Sequence, residues 1–235
     1  MKILPMYIFH QYIQQVPHNR LQKWRELLYA FIIYYAIGIL CTIFIIVTDF
    51  FVVKILDHPS ILSSHFKLDE YIKTMGLYKS IFFSSVKAPI IEELSFRLLL
   101  RPTRFNVSFS IAFFIFLLFD TILYFSDLPT YSIRLVICLL LFFFLYITYN
   151  PLWLSALKIT DYKLLTITSL GFGAIHITNF TTIDKGLFFI YPIYILPQIF
   201  LGFILGIIRI RNGFIWAVLL HILVNGSVTW HKFFQ

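Results

Sequence analysis

The chain has 235 residues, of which 60% are apolar, 20% aromatic and only 13% charged, with a formal net charge of +8. A mean hydropathy of +0.85 leaves too little polar surface for a water-soluble globule of this size, which excludes the soluble enzyme and binding-module classes. The positive charge does not point to nucleic acid, because Lys and Arg sit at the edges of apolar runs, where they act as topology anchors and headgroup contacts.

A bilayer core takes about 20 helical residues to cross. Seven stretches of this sequence are long enough or nearly so, and strict apolar–polar alternation is absent. The expectation is therefore an all-α fold, a polytopic membrane bundle of about seven transmembrane helices (six to eight), rather than a barrel. Cys41 and Cys138 lie inside apolar runs without metal or redox spacing, so they read as small core residues.

Residues 1–26 mix Lys2, His10, Arg20, Lys23 and Arg25 with apolar residues and contain no cleavable signal pattern. They are expected to form a basic interfacial segment. Residues 27–78 are then the first transmembrane helix and a polar loop, with the span at about Leu27 to Ile55 and a short surface helix at Lys67 to Met75. The second span, about Lys79 to Leu100, carries Pro89 one turn before Glu92 and Glu93, where the ring should bend the helix. Spans three and four, about Phe105 to Phe125 and Ser132 to Tyr149, are rich in Phe, Leu and Ile and read as packing and lipid-facing helices.

The fifth span, about Lys163 to Phe180, contains Gly171, Gly173 and Ala174 ahead of His176; small residues there admit a close neighbour. The sixth, about Gly186 to Ile210, has Pro192, Pro197, Gln198 and the pair Gly202 and Gly206. The seventh, about Gly213 to Lys232, holds His221 and Asn225. Lys and Arg are more numerous at the ends that include Arg20, Lys23, Arg101, Arg104, Arg209 and Arg211 than at those with Lys54, Lys79, Lys185 and Lys232, which favours an inside N-terminus.

Three polar motifs lie at membrane depth, where an ionisable residue costs about 2.5–3.5 kcal/mol at a helix centre and so implies a partner. Glu93 and Arg97 are i and i+4, suited to an ion pair, while Glu92 is turned about 100° away and is the freer carboxylate. His221 and Asn225 are again i and i+4, and the ring of Phe172 should cover one side of His176. A single intramembrane His or Glu–Arg pair is commonly structural, but several such groups on three helices point to a site. Asp49, Asp120 and Asp127 are expected to face water or headgroups, and His10, His18, His58, His65 and His231 to be peripheral. Gln198 could line the site or satisfy carbonyls released by Pro197.

The order Glu92-Glu93-x-x-x-Arg97, Phe172-x-x-x-His176, His221-x-x-x-Asn225 on separate apolar helices resembles the CPBP family of intramembrane proteases, which includes CAAX prenyl endopeptidases and bacteriocin-processing or Abi-type proteins. Leu98 stands where that family often has Gly. The resemblance covers roughly residues 79–232, and residues 79–235 would be the protease helix core. It implies an endopeptidase in which Glu92 and His176 activate water, His221 and Asn225 stabilise the oxyanion, and Glu93 and Arg97 brace the site. The expected substrate is a membrane-associated peptide, prenylated or bacteriocin-like. The lipid bilayer is the other partner, and a bacterial cell membrane the expected location. No cofactor is required in this reading, although the same carboxylate and imidazoles would suit a zinc ion. Two other classes compete: a non-enzymatic membrane immunity or scaffold protein that keeps the protease fold, and a proton-coupled transporter, against which no internal repeat is seen.

Overall fold

The computed structural model describes residues 19–63, 76–123, 128–150, 160–180 and 182–233. Helical segments occupy each of the predicted span positions, so the all-α membrane bundle is found as expected. The first helix, α1, runs Arg20–Lys54. It starts earlier than predicted because Asn19 accepts from the backbone N–H of Gln22 while the Gln22 side chain accepts from that of Asn19, a reciprocal capping box. Residues 1–18 and the predicted surface helix at Lys67 to Met75 lie outside the described residues.

The second span is not one regular helix. A single α-turn, α2 (Leu77–Ser80), passes into a π-helical segment, Ile81–Lys87, then α3 (Ala88–Phe96) and a 3-10 turn, Leu98–Leu100. Pro89 lies at the start of α3, where the missing N–H is tolerated. Next come α4 (Arg104–Leu123) and α5 (Leu128–Thr148), which pack on one another, with α4 also against α3. Helix α6 (Asp161–Ile175) is capped by the Thr160 hydroxyl and tightens into a 3-10 turn, His176–Asn179. The predicted sixth span is broken into a 3-10 segment, Lys185–Ile190, the turn α7 (Tyr191–Tyr194) and α8 (Leu196–Asn212), with a bend of 43°. Pro192 and Pro197 each open a new helical piece, which is why the chain cannot run straight through. Gly213, at φ 106°, turns the chain into α9 (Phe214–Phe233).

Among the described residues three helices are long and apolar enough to cross a membrane, or four if the bent pair counts as one span. Helices α1 and α5 display rows of exposed Ile, Leu, Val and Phe, such as Ile39, Leu40 and Phe44 on α1 and Leu140, Phe143 and Phe144 on α5. Faces this apolar and continuous fit lipid. The interior is made by α6, α8 and α9 with α1 and α3 around them, through Phe96, Phe172, Leu201, Leu205, Leu220 and Val224.

The crossing of α6 and α8 depends on glycine. A Cβ on Gly173 would overlap Cγ1 of Ile199 and lie 3.1 Å from its Cα, and one on Gly202 would lie 3.0 Å from the backbone oxygen of Ser169. At Gly206 the obstacle is the end of the Leu165 side chain, which can move. The small-residue expectation thus holds for Gly173 and Gly202, while Gly171 faces Phe96 instead, at 3.4 Å.

The two ends of the bundle differ. At one, Lys23 Nζ donates to the carbonyl of Asn212 (3.2 Å), Arg211 Nε to Glu26 (3.1 Å) and Arg101 to the carbonyl of Ile210 (3.3 Å). Trp24 meets Trp216 edge to face at 4.9 Å. These basic residues were expected to share a side, and they do. At the other end Asp49 is buried, contrary to the expectation that it faces water or headgroups. Asp57 takes a left-handed conformation (φ 53°), and the chain then folds back over α1. Asp49 consequently accepts from Ser60 Oγ (2.6 Å), Leu62 N–H (2.9 Å) and Tyr194 OH (2.8 Å). His58 pairs with Asp184 at 3.1 Å on the half-exposed rim. The side chain of Asp120 is not described, and Asp127 lies outside the described residues.

Gly173→Ala is expected to lower stability by about 1–3 kcal/mol through overpacking of the α6–α8 crossing, and Gly171→Ala by less. Thermal unfolding of the purified variants in detergent checks the order, and equal effects would contradict it.

Candidate active site

Glu93 is fully buried on the inner face of α3, and its two oxygens turn to different partners. Oε2 lies 3.3 Å from Arg97 Nε, the predicted i,i+4 pair. Oε1 lies 3.1 Å from Nδ1 of His221 on α9, a partner the sequence reading did not assign to it. Glu93 therefore ties two helices together as well as bracing its own.

The Arg97 guanidinium is itself fully buried, and neither of its terminal nitrogens has a hydrogen-bond partner. Its contact with Glu93 is an ion pair without aligned hydrogen-bond geometry. The ring of Phe172 supplies compensation, with the guanidinium carbon 4.8 Å from the ring centre. A cation over an aromatic face gains about 2 kcal/mol when both are desolvated. The same ring is 4.8 Å from the His176 ring, 5.5 Å from His221 and 5.7 Å from Phe96. Phe172 covers His176 as expected, and it also forms the apolar centre around which all three motifs assemble.

Glu92 is the freer carboxylate: its side chain is 20% exposed, against 0% for Glu93. Its Oε2 lies 3.6 Å from Nε2 of His221. Both of these atoms are buried and neither has a hydrogen-bond partner. The imidazole of His221 is thus sandwiched, Glu93 at one nitrogen and Glu92 at the other. Since a carboxylate at Nδ1 holds the proton there, Nε2 of a neutral His221 presents its lone pair toward Glu92. Two facing acceptors at this distance mark a place where one proton is shared or delivered.

His176 sits where α6 tightens into its 3-10 turn. Its own N–H bonds back to the carbonyls of Gly173 and Ala174 rather than that of Phe172. The released Phe172 carbonyl is taken by the His176 side chain, Nδ1 to oxygen 2.7 Å. A carbonyl only accepts, so the proton is on Nδ1 and the lone pair of a neutral His176 is on Nε2.

Asn225 lies one turn beyond His221, as the spacing predicts, and donates from Nδ2 to the backbone oxygen of Ser84 at 3.1 Å. Ser84 belongs to the π-helical segment, and sequence reasoning passed over it. The signal was available: Ser84 and Ser85 interrupt an apolar run, as does Thr229 four residues after Asn225. The Gln198 side-chain oxygen is buried without a hydrogen-bond partner.

Nδ1 of His176 and Nδ1 of His221 are both engaged, which leaves Nε2 of each as the available ligand atom; among the described residues no three His, Cys, Asp or Glu side chains gather closely enough to hold an ion.

Residues 155–227 match the family described as Type II CAAX prenyl endopeptidase Rce1-like. This match, over less than half of the chain, agrees with the CPBP resemblance drawn from the motifs. The matched stretch includes His176, His221 and Asn225, while Glu92, Glu93 and Arg97 lie before it. No curated protein and no solved structure matches the chain.

The contacts predict different outcomes for the two acids. Glu93→Gln should cost about 3–5 kcal/mol, because it leaves a buried guanidinium without its counter-charge. Glu92→Gln, at a partly exposed position, should cost under about 1 kcal/mol. Comparing the unfolding of the two variants checks this, and a larger loss from Glu92→Gln would refute the assignment.

Proposed function

We propose that this CPBP-type chain is a multi-pass membrane endopeptidase in which Glu92 is the general base that activates water. The observation that carries the reading is the array Glu93–His221–Glu92, with distances of 3.1 and 3.6 Å and only its Glu92 end reaching toward solvent. A structural bundle gains little from two acids on one buried imidazole, and it bears their desolvation cost. A hydrolase needs such a group. The carboxylate can take a proton from water, pass it to Nε2 of His221, and leave Glu93 to stabilise the imidazolium that results.

The remaining residues fit the steps of peptide hydrolysis. Water held against Nε2 of His176 loses a proton to Glu92 and adds to the scissile carbonyl carbon, leaving a tetrahedral oxyanion. One N–H of Asn225 is committed to Ser84, but the amide has a second, and protonated His221 is a donor at its other nitrogen. Together they supply oxyanion stabilisation, where one donor is typically worth about 100–1000-fold in rate. Collapse of the intermediate breaks the C–N bond as His221 returns its proton to the leaving amine. No step needs a metal ion.

Burial within apolar helices favours a membrane-associated peptide; the family resemblance is what suggests that it is prenylated or bacteriocin-like and that the membrane is a bacterial cell membrane. The clustered Lys23, Arg101 and Arg211 support the inside placement of the N-terminal end of α1.

In liposomes containing such a peptide, Glu92→Gln and His176→Ala are each expected to reduce cleavage by at least about 100-fold, with the unfolding of Glu92→Gln close to wild type and that of His176→Ala about 1–3 kcal/mol less stable, since it leaves the Phe172 carbonyl unpaired. Cleavage at the wild-type rate by both would refute the protease reading. A chelator is expected to leave the wild-type rate unchanged; loss of activity restored by zinc would overturn the metal-free mechanism.

A further inference from the structure

The carbonyl that Asn225 binds is one that the chain cannot satisfy for itself. In the π-helical segment each carbonyl accepts from the N–H five residues on, and Ala88 N–H accordingly bonds to the oxygen of Phe83. The next bond in that series would run from residue 89 to Ser84, but residue 89 is proline and has no N–H. Ser84 is half-buried, at a depth where water is a poor substitute, and Asn225 Nδ2 completes its oxygen from the neighbouring helix at 3.1 Å.

A second set of contacts lies one turn further along. Thr229 Oγ1 is 2.9 Å from Ser84 Oγ, accepts from Ser85 Oγ at 3.1 Å, and donates to the carbonyl of Asn225 at 2.9 Å. Ser84 Oγ donates to the carbonyl of Ser80 at 2.6 Å. Ser85 and Thr229 are each about 1% exposed, so these hydroxyls have little access to other partners. The orphaned carbonyl and the hydroxyl cluster join the segment that leads into Glu92 to the helix that carries His221.

We propose that Pro89, Ser84, Asn225 and Thr229 form a lock that sets the register of Glu92 against His221, with Asn225 acting as a positioning residue through the Ser84 carbonyl and Thr229 through the Ser84 and Ser85 hydroxyls. The proline fixes the acceptor open, the amide fills it, and the threonine hydroxyl keeps the two helices in phase. The link to catalysis rests on the protease reading above; the lock itself does not.

The lock is tested by a stability cycle. Asn225→Leu alone is expected to lower Tm by about 2–5 °C, the scale of one lost hydrogen bond in a chain of this size. An unchanged Tm overturns the proposal. Pro89→Ala restores an N–H able to satisfy Ser84, so Asn225→Leu placed on that background should lower Tm by half as much or less. Equal losses on both backgrounds overturn it. For register, Thr229→Val is expected to lower kcat for peptide cleavage by about tenfold with KM within twofold, and Thr229→Ser to restore it. Equal kcat from Thr229→Val and wild type, or no rescue by serine, removes the positioning role. If wild type cleaves no peptide the protease reading fails, and the Tm cycle still decides whether the lock exists.

Discussion

The site depends on placing Glu93 where no water reaches it. A fully buried carboxylate is tolerable only if its charge is answered on the spot, and here the answer is divided between Arg97 on the same helix and His221 on another. The division gives the pair a function that an intrahelical salt bridge alone would not have. Arg97 fixes the rotamer of Glu93, Glu93 fixes the tautomer of His221, and the tautomer decides that the nitrogen facing Glu92 offers a lone pair. Phe172 keeps the cluster dry, with one ring against the guanidinium and both imidazoles. Interactions among these groups are strengthened by the low dielectric that makes each of them expensive alone.

The second constraint is that regular helices do not present free carbonyls, and this site uses two. Where α6 tightens, the Phe172 carbonyl is released and orients His176; where the chain widens ahead of Pro89, the Ser84 carbonyl is released and holds Asn225. Irregular backbone inside a bilayer survives only when protein groups satisfy what it exposes. In both cases a polar motif residue does so, and each loses rotamer freedom in the process. Departure from ideal helix and preorganisation of the side chain are therefore one event, since the same hydrogen bond relieves the first and produces the second.

Much of this was legible from the sequence, and the misses share one cause. The i,i+4 spacings gave the Glu93–Arg97 pair and the common face of His221 and Asn225; the exposure contrast between Glu92 and Glu93 followed from their 100° separation. The glycines of the fifth and sixth spans marked a true close crossing, at Gly173 and Gly202. What periodicity does not encode is which helix stands beside which. Hence the close contact of Glu92 with His221 is not foreseen, and Asn225 gives no hint that its partner is a backbone oxygen on the second span. Asp49 was misread for a related reason. Nothing within α1 reveals that the loop after Asp57 doubles back to bring Ser60, Leu62 and Tyr194 onto it.

The distribution of rigidity and exposure also has a logic. Side chains of the site come from α3, α6 and α9, and two of these are clamped by backbone-level contacts: α6 by the glycine crossing with α8, and α9 by Asn225 and Thr229 against the π-helical segment. Helices α4 and α5 stand outside this core, with α5 turned outward over an apolar face. Charge neutralisation needs side chains held to within tenths of an ångström, whereas contact with lipid requires only an apolar surface. The chain places its irregular backbone and its glycines where the first requirement applies, and its long uninterrupted runs of Leu, Ile and Phe where only the second does. The proline at position 89 sits at the join between the π-helical segment and α3, too early to disturb Glu92 and Glu93 and just late enough to leave the Ser84 carbonyl for Asn225.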